Sequence, residues 1–498
     1  MFLSFDVGTT SMKCVLFGKD FKQLCKVSYE YDLLYPQEDF VELGAEVYYE
    51  TFCRCIKSIK NSGIDVNEIK SLTFTTQGET FVPVDKNGNH LSRAIIWLDA
   101  RASKEAELLL EKLGLEKIYH KTGLCGIDGA LPLAKLMWIK ENMPELYNST
   151  YKFLLLEDYL IMRLTGEFVT EKSLVSSTCW YNIVEDCFFD EALRVGGIDI
   201  EKLPKVLPCG EIVGKVSTDA SRECGLCCDT AVVTGAMDQI SSAIGAGNFC
   251  EGVVTETTGT ALVVGATVEK PVFDLSKPIT IYKHFNDKFM YMPFCNTAGV
   301  VLKWFKDTVA GELVAKANAE DVSPYFLIDE MAKLSQPGSR GVMLLPHFSG
   351  KNAPNEIPEA TGCFFGLTLA TDMKDLCRSV LEGIAYMLRE NIEVLETQGV
   401  EVAEIKSLGG GSSSPLWGEI KASVCCKKIV RNGYSETTAL GAAILGAVAV
   451  SEYSSVEEAF ESVDAESKDI MPVAELKDVY DQAYNKYKEL YQALKSVF

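Results

Sequence analysis

"FDVGTTSMKCVLF" (residues 5–17) reads as an extended apolar run, a Gly-Thr-Thr turn and a second apolar run, and "VTETTGTALVVG" (254–265) repeats the pattern about half a chain later. A Gly/Thr tip between two strands offers backbone N–H groups and hydroxyls, which bind phosphate oxygens without a cationic side chain. A single hairpin of this kind is ordinary turn chemistry. One in each half predicts a duplicated α/β fold with a phosphate chain held between the copies. Asp6, just before the first tip, is placed to hold Mg²⁺, directly or through water.

At 498 residues the chain exceeds one ordinary core, and two domains of roughly 250 residues are expected, 1–247 and 248–498. The formal net charge of −22 speaks against nucleic acid or an anionic membrane as partner, since both are bound mainly through Lys and Arg. The N-terminus enters a strand within three residues, without the basic and apolar regions of a signal peptide. "TTALGAAILGAVAV" (437–450) is too short to span a bilayer and, rich in Gly and Ala, reads as a closely packed internal helix. A cytoplasmic protein is expected, its 17 cysteines reduced and mostly buried. "CGLCC" (224–228) and Cys425-Cys426 lack a second CxxC with ligand spacing, so no metal–thiolate site is expected. The four histidines are scattered and read as structural.

"IKSLTFTTQGETFVPVD" (69–85) reads as a strand, and "DKNGN" (85–89) as a hairpin turn. "DTAVVTGAMDQISSAIGAG" (229–247) reads as buried strand, turn and helix. Asp238 falls at that junction, where a helix N-terminus keeps a carboxylate ionised. It is either a plain N-cap or a group that accepts the proton of a hydroxyl attacking a γ-phosphate. "LGGGSSSPLW" (408–417) follows a strand and precedes a helix. Its Gly409, Gly410 and Gly411, with Ser412 after them, allow a ligand close to the backbone. No Walker A loop or GxSxG elbow is present. "TDMKDLCRSVLEGIAYMLRENIEVLE" (371–396) has the apolar spacing of a long helix, and Tyr480, Tyr484, Tyr487 and Tyr491 mark a final helix docked on the core.

These stretches resemble the FGGY family of carbohydrate kinases, within the actin, sugar-kinase and heat-shock ATPase superfamily. "GCFFGLTLATDMKDLCRSVLE" (362–382) is similar to the family's C-terminal signature and "PLAKLMWIKEN" (132–142) to most of its central one. "DYLIMRLTGEFVTEKSLVSST" (158–178), "PHFSGKNAP" (346–354) and "ETTALGAAILGA" (436–447) resemble further landmarks in the expected order. The resemblance implies two ribonuclease H-like domains with a catalytic cleft between them, and ATP-dependent phosphorylation of a small sugar or polyol. The N-terminal domain would bind the sugar and the C-terminal domain ATP; a homodimer is also implied. Asp6, Thr9, Thr10 and Lys13 fall in the first phosphate loop, and Thr258, Gly259 and Thr260 in the second. Asp238 matches the catalytic base, with Gln239 as a substrate contact. Gly409, Gly410, Gly411 and Ser412 match the adenosine-side turn, and Gly299 and Lys303 a helix lining the nucleotide.

The departures bear on the acceptor. Where glycerol kinases carry an Arg-Glu pair, this chain has Gly78-Glu79, preceded by Gln77. Ala130 stands where they have a tyrosine. Loss of both groups disfavours glycerol and is expected to open space for a longer sugar, a ketose such as a pentulose. The Met-His-Gly run of xylulokinases is replaced by Gly78-Glu79-Thr80, so xylulose is not secured either. Trp97, Asp99 and Arg101 in "IIWLDARA" would line the acceptor site, or else form a core tryptophan and a surface ion pair. A catalytically silent sugar sensor and a chaperone-like ATPase are the competing readings.

Overall fold

The computed structural model describes residues 1–498 except 353–356, 435 and 465, so the end of "PHFSGKNAP" lies outside the described residues. Two large sheets carry the molecule. In the first, the strand order is Ile212–Lys215, Ala231–Met237, Ser71–Thr76, Phe2–Val7, Ser11–Phe17, Gln23–Glu30. Phe2–Val7, Ser71–Thr76 and Ala231–Met237 run parallel, while Ser11–Phe17 returns antiparallel as the hairpin partner. In the second sheet Gly252–Thr258 pairs antiparallel with Leu262–Val268 and parallel with Val402–Leu408, which is followed by parallel Lys428–Arg431. The two sheets share one grammar, a hairpin whose first strand opens a parallel set. This is the duplicated two-domain α/β arrangement expected from the sequence.

The parallel strands are buried along nearly their whole length. Helices on both faces require this, and in Ser71–Thr76 small polar residues, Ser71, Thr73 and Thr75, are buried in alternation with Leu72 and Phe74. One face of the first sheet packs on helix Ala45–Asn61 through Tyr48, Phe52, Cys55, Ile56 and Ile59. The opposite face is covered by helix Thr437–Ala449, an element from beyond the expected boundary at 247/248. That helix crosses helix Asp238–Ala246 with almost no side chain between them. A Cβ on Gly441 would sit 1.9 Å from the Ser241 carbonyl oxygen, and one on Gly245 1.9 Å from that of Thr437. The Gly/Ala richness of 437–450 is thus a packing requirement. The tyrosine helix forms over Lys477–Leu494 with its four spaced tyrosines buried.

One expectation needs correction. Residues 69–85 are two strands in different sheets, Ser71–Thr76 in the first large sheet and Phe81–Val84 in a four-stranded sheet with Ala94–Ile95, Glu42–Leu43 and Lys152–Leu155. The break spans Gln77–Thr80. Glu79 adopts φ +56°, and the Thr80 N–H turns back to the Gly78 carbonyl at 2.6 Å. A left-handed residue cannot continue a ladder.

Candidate active site

Three parallel strands of the first sheet end together: Asp6 lies opposite Thr75, and Met237 opposite Thr76. Asp6, Gln77 and Asp238 therefore gather at one sheet edge, the carboxyl ends of parallel strands, where open α/β sheets bind ligands. Asp238 is not the N-cap, a position held by Met237, but the first helical residue of Asp238–Ala246. Burial, then the charges of Asp6 and Glu79, push its carboxyl up to about 7, while the Gln239 backbone N–H pulls it down. Burial also raises Asp6, opposed by the Lys13 ammonium 3.3 Å away. Lys13 stands directly opposite Asp6 in the hairpin register and lies 3.8 Å from Glu436 as well, so its charge is shared between two carboxylates.

Beside this edge, the Thr9 hydroxyl donates to Gln77 Oε1 at 2.7 Å and accepts from the indole Nε1–H of Trp97 at 2.9 Å. Trp97 is 39% exposed. These bonds tie the first hairpin tip to two of the residues expected to meet the acceptor. Burial pushes Glu79 up to about 7 against the Lys135 charge and a hydrogen bond from Ser177. Gln239, half-buried, follows Asp238 in the helix. The space expected beside Gly78 is filled. A Cβ there would lie 3.3 Å from both Met237 Sδ and Ser177 Oγ, so an arginine would have to displace them. Asp99, expected to line the site, is 0% exposed and closed off. Its oxygens accept from the Val41 N–H at 2.7 Å and from the Arg101 guanidinium at 2.8 and 2.7 Å. Asp99 and Arg101 thus form the ion pair of the alternative reading, buried rather than on the surface.

On the opposite side, Gly259 and Thr260 are exposed at the second hairpin tip, as Thr10 is at the first. The Thr260 carbonyl accepts from the Ala298 N–H and the Gly259 carbonyl from the Gly299 N–H, both at 2.9 Å. A Cβ on Gly299 would sit 2.2 Å from the Gly259 oxygen, so this helix start must be glycine. Gly409 has φ +72° and lies against the Thr258 carbonyl, Gly411 lies against the Thr258 side chain, and Gly410 faces open space. Ser412 Oγ closes the turn onto the Gly409 carbonyl at 2.7 Å. Both hairpin tips and the glycine turn thus present exposed backbone. Lys303 is exposed and paired with Asp307 one turn further along its helix. In "PHFSGKNAP", buried Lys351 pairs with Glu390 at 2.6 Å, and Asn352 accepts from the Asn296 N–H.

Residue reading missed Tyr282 and Lys135 as neighbours of this site. Tyr282 lies on Ile281–Lys283 of the second sheet. The Ile281 N–H donates to the Gly123 carbonyl at 2.9 Å, and Thr280 Oγ1 lies 3.1 Å from Cys125 Sγ. Strand alternation puts Tyr282 on the Thr280 side. Burial, then the nearby Glu79, Cys125, Asp238 and Asp128, raise its phenol. Lys135 is fully buried and donates to the Ile96 carbonyl at 2.9 Å; burial lowers it to about 8 while Asp99 and Glu79 hold it up. No local pattern marks Tyr282, and Lys135 stands in the signature-like stretch 132–142 without a sign of what it faces, because the neighbours of both are distant in sequence.

Comparison with known proteins gives the family. Residues 1–245 match the N-terminal domain, and 254–450 the C-terminal domain, of the FGGY family of carbohydrate kinases. A gluconokinase of Bacillus subtilis is 28% identical over 91% of this chain and 88% of its own. A glycerol kinase of Thermococcus onnurineus is 31% identical over 92% of this chain and 90% of its own. The ligand-bound crystal structure of a xylulose kinase from Lactobacillus acidophilus superposes with a TM-score of 0.90 at 24% identity, covering 99% of this chain and 98% of that one.

Proposed function

We propose that this chain, which belongs to the FGGY family of carbohydrate kinases, transfers the γ-phosphoryl group of Mg-ATP to a hydroxyl of a neutral sugar, a ketose such as a pentulose, with Asp238 as general base. The observation that carries the reading is Asp238 itself: a carboxyl on the first turn of a helix, at the meeting point of three strand ends, held near neutral pH by burial and by Asp6. Such a group accepts a hydroxyl proton as the oxygen attacks phosphorus, while the bond to the β-phosphate oxygen breaks and ADP leaves.

Each half contributes a part. The Thr9 and Thr10 backbone N–H groups and the Thr10 hydroxyl at one tip, and the Thr260 N–H and hydroxyl at the other, would serve the triphosphate, since the Thr9 hydroxyl is given to Gln77 and the Gly259 N–H to the Ala261 carbonyl; the Gly409–Ser412 turn offers backbone to the adenosine. Mg²⁺ neutralises phosphate charge, and Asp6, flanking the first tip, is the carboxylate suited to hold it together with phosphate oxygens. Among the described residues no group of three or more acidic, His or Cys side chains could hold a metal. The reading also implies the cytoplasm, which supplies Mg-ATP and keeps cysteines reduced.

The surroundings of Asp238 favour a neutral acceptor. Asp6, Glu79 and Asp128 all bear on this pocket, and the buried cation, Lys135, already donates to a backbone carbonyl. A substrate carboxylate such as that of gluconate would meet like charge there. Glycerol would lack the guanidinium that Gly78 does not supply, whereas a longer polyhydroxy chain has more hydroxyls to offer to Glu79 and Gln239.

ADP release from Mg-ATP across ketopentoses, ketohexoses, pentitols, gluconate and glycerol tests the reading. One neutral sugar should accelerate it strongly; acceleration by none, with ATP still bound, would leave a silent sensor. Asp238→Asn should bind ATP normally and turn over about 10²–10⁴ times more slowly. Unchanged turnover would remove Asp238 from the role of base.

A further inference from the structure

Beneath the second hairpin lies a charged pair that the catalytic reading leaves unused. Glu256 is 0% and Lys421 1% exposed, and Lys421 Nζ donates to Glu256 Oε1 at 2.7 Å and to Thr258 Oγ1 at 2.9 Å. The Thr258 hydroxyl donates in turn to Glu256 Oε2 at 2.6 Å, and the Ser407 hydroxyl donates to Glu256 Oε1. The ammonium also lies 4.6 Å from the ring centre of Trp417, whose indole N–H donates to the Leu381 carbonyl at 3.0 Å.

The four residues come from three elements. Glu256 and Thr258 belong to the strand entering the hairpin tip, Ser407 to the strand entering the glycine turn, and Lys421 to helix Pro415–Cys425 after that turn. The tip and the turn are both glycine-rich and cannot fix their own spacing. They meet at Thr258, where Gly409 approaches its carbonyl and Gly411 its side chain. Burying an ion pair costs more desolvation than an apolar pair of the same volume, so its stability yield is small. What a buried, fully hydrogen-bonded pair supplies is orientation.

We propose that Lys421 and Glu256 are positioning residues for the nucleotide: acting through Thr258 and Ser407, they set the distance between the phosphate-binding tip Gly259–Thr260 and the adenosine-side turn Gly409–Gly411. The proposal rests on the assignment of these two loops to ATP, and it predicts an effect confined to the nucleotide. Thr258→Val removes both hydroxyl hydrogen bonds, keeps the side-chain shape and leaves the Lys421–Glu256 pair in place. It should weaken Mg-ATP binding by calorimetry on the order of 10-fold, as small misplacements of binding groups do, and leave the acceptor KM within about twofold of wild type. Lys421→Met would strand a buried carboxylate, so it is made together with Glu256→Gln, and the double variant should show the same selective loss. Wild-type affinity for Mg-ATP in a folded Thr258→Val protein, with only its melting temperature lowered, would reduce the cluster to a structural role and overturn the proposal. Failure of the wild-type protein to bind Mg-ATP at all would instead refute the kinase reading beneath it.

Discussion

The two hairpins share a backbone plan and differ in what holds their tips. The first is fastened by side chains. Tyr31 OH donates to the Gly8 and Ser11 carbonyls at 2.5 and 3.1 Å, and Thr9 joins Gln77 to Trp97. The second is fastened by backbone bonds to the start of helix Gly299–Thr308 and by a buried ion pair below. A loop bonded to acceptor-side residues can register whether the acceptor is present. A loop fastened to its own sheet stays in place without it. On the proposed reading, one tip would be coupled to the acceptor and the other fixed on the nucleotide side.

The contrast can be broken from either end. Gly299→Ala should have the largest effect. Its Cβ would sit 2.2 Å from the Gly259 oxygen, and displacing that tip should lower kcat about 10²-fold, read by steady-state kinetics on protein of normal melting temperature. Thr9→Val should raise the acceptor KM about 3- to 10-fold, the worth of roughly one hydrogen bond, and leave the ATP KM unchanged. Equal shifts in both constants would show that the first tip is not selectively coupled to the acceptor. The pH profile sharpens the same point. The base works ionised, so kcat/KM should rise with pH through about 7 and level off above it. Glu79→Gln removes a charge that raises Asp238, so the acid limb should move to lower pH. Lys303→Met should do least, changing ATP affinity less than about twofold, because an exposed helix ion pair contributes little.

The hairpins, the strand-to-helix junction at Asp238, the glycine turn and the tyrosine helix were legible in the sequence because each is a local pattern of period and turn chemistry. The break at Gln77–Thr80 was not, because "TFTTQGETFVPV" keeps one β-like composition across two sheets, and only the left-handed Glu79 divides it. Asp99 reads equally as a lining residue or as half of an ion pair, and only the fold decides, by closing its oxygens with Val41 and Arg101. Gly78 read as a vacancy until Ser177 and Met237, remote in sequence, were found to fill it. Tyr282 and the Glu256–Lys421 pair join segments more than a hundred residues apart, a relation that no window along the chain contains.

The helix Thr437–Ala449 ties assembly to synthesis. It lies on the first sheet with Gly446 so close that a Cβ would be 2.5 Å from Thr73 Oγ1 and 2.7 Å from Ser71 Oγ. When the ribosome has finished the six strands of that sheet, the covering helix is still about two hundred codons away. At roughly 5–20 residues per second the face stays bare for on the order of ten seconds or more. The amino-terminal half therefore spends that interval with its Ser71- and Thr73-lined face uncovered, and the sheet is completed only when the far end of the chain emerges to close it.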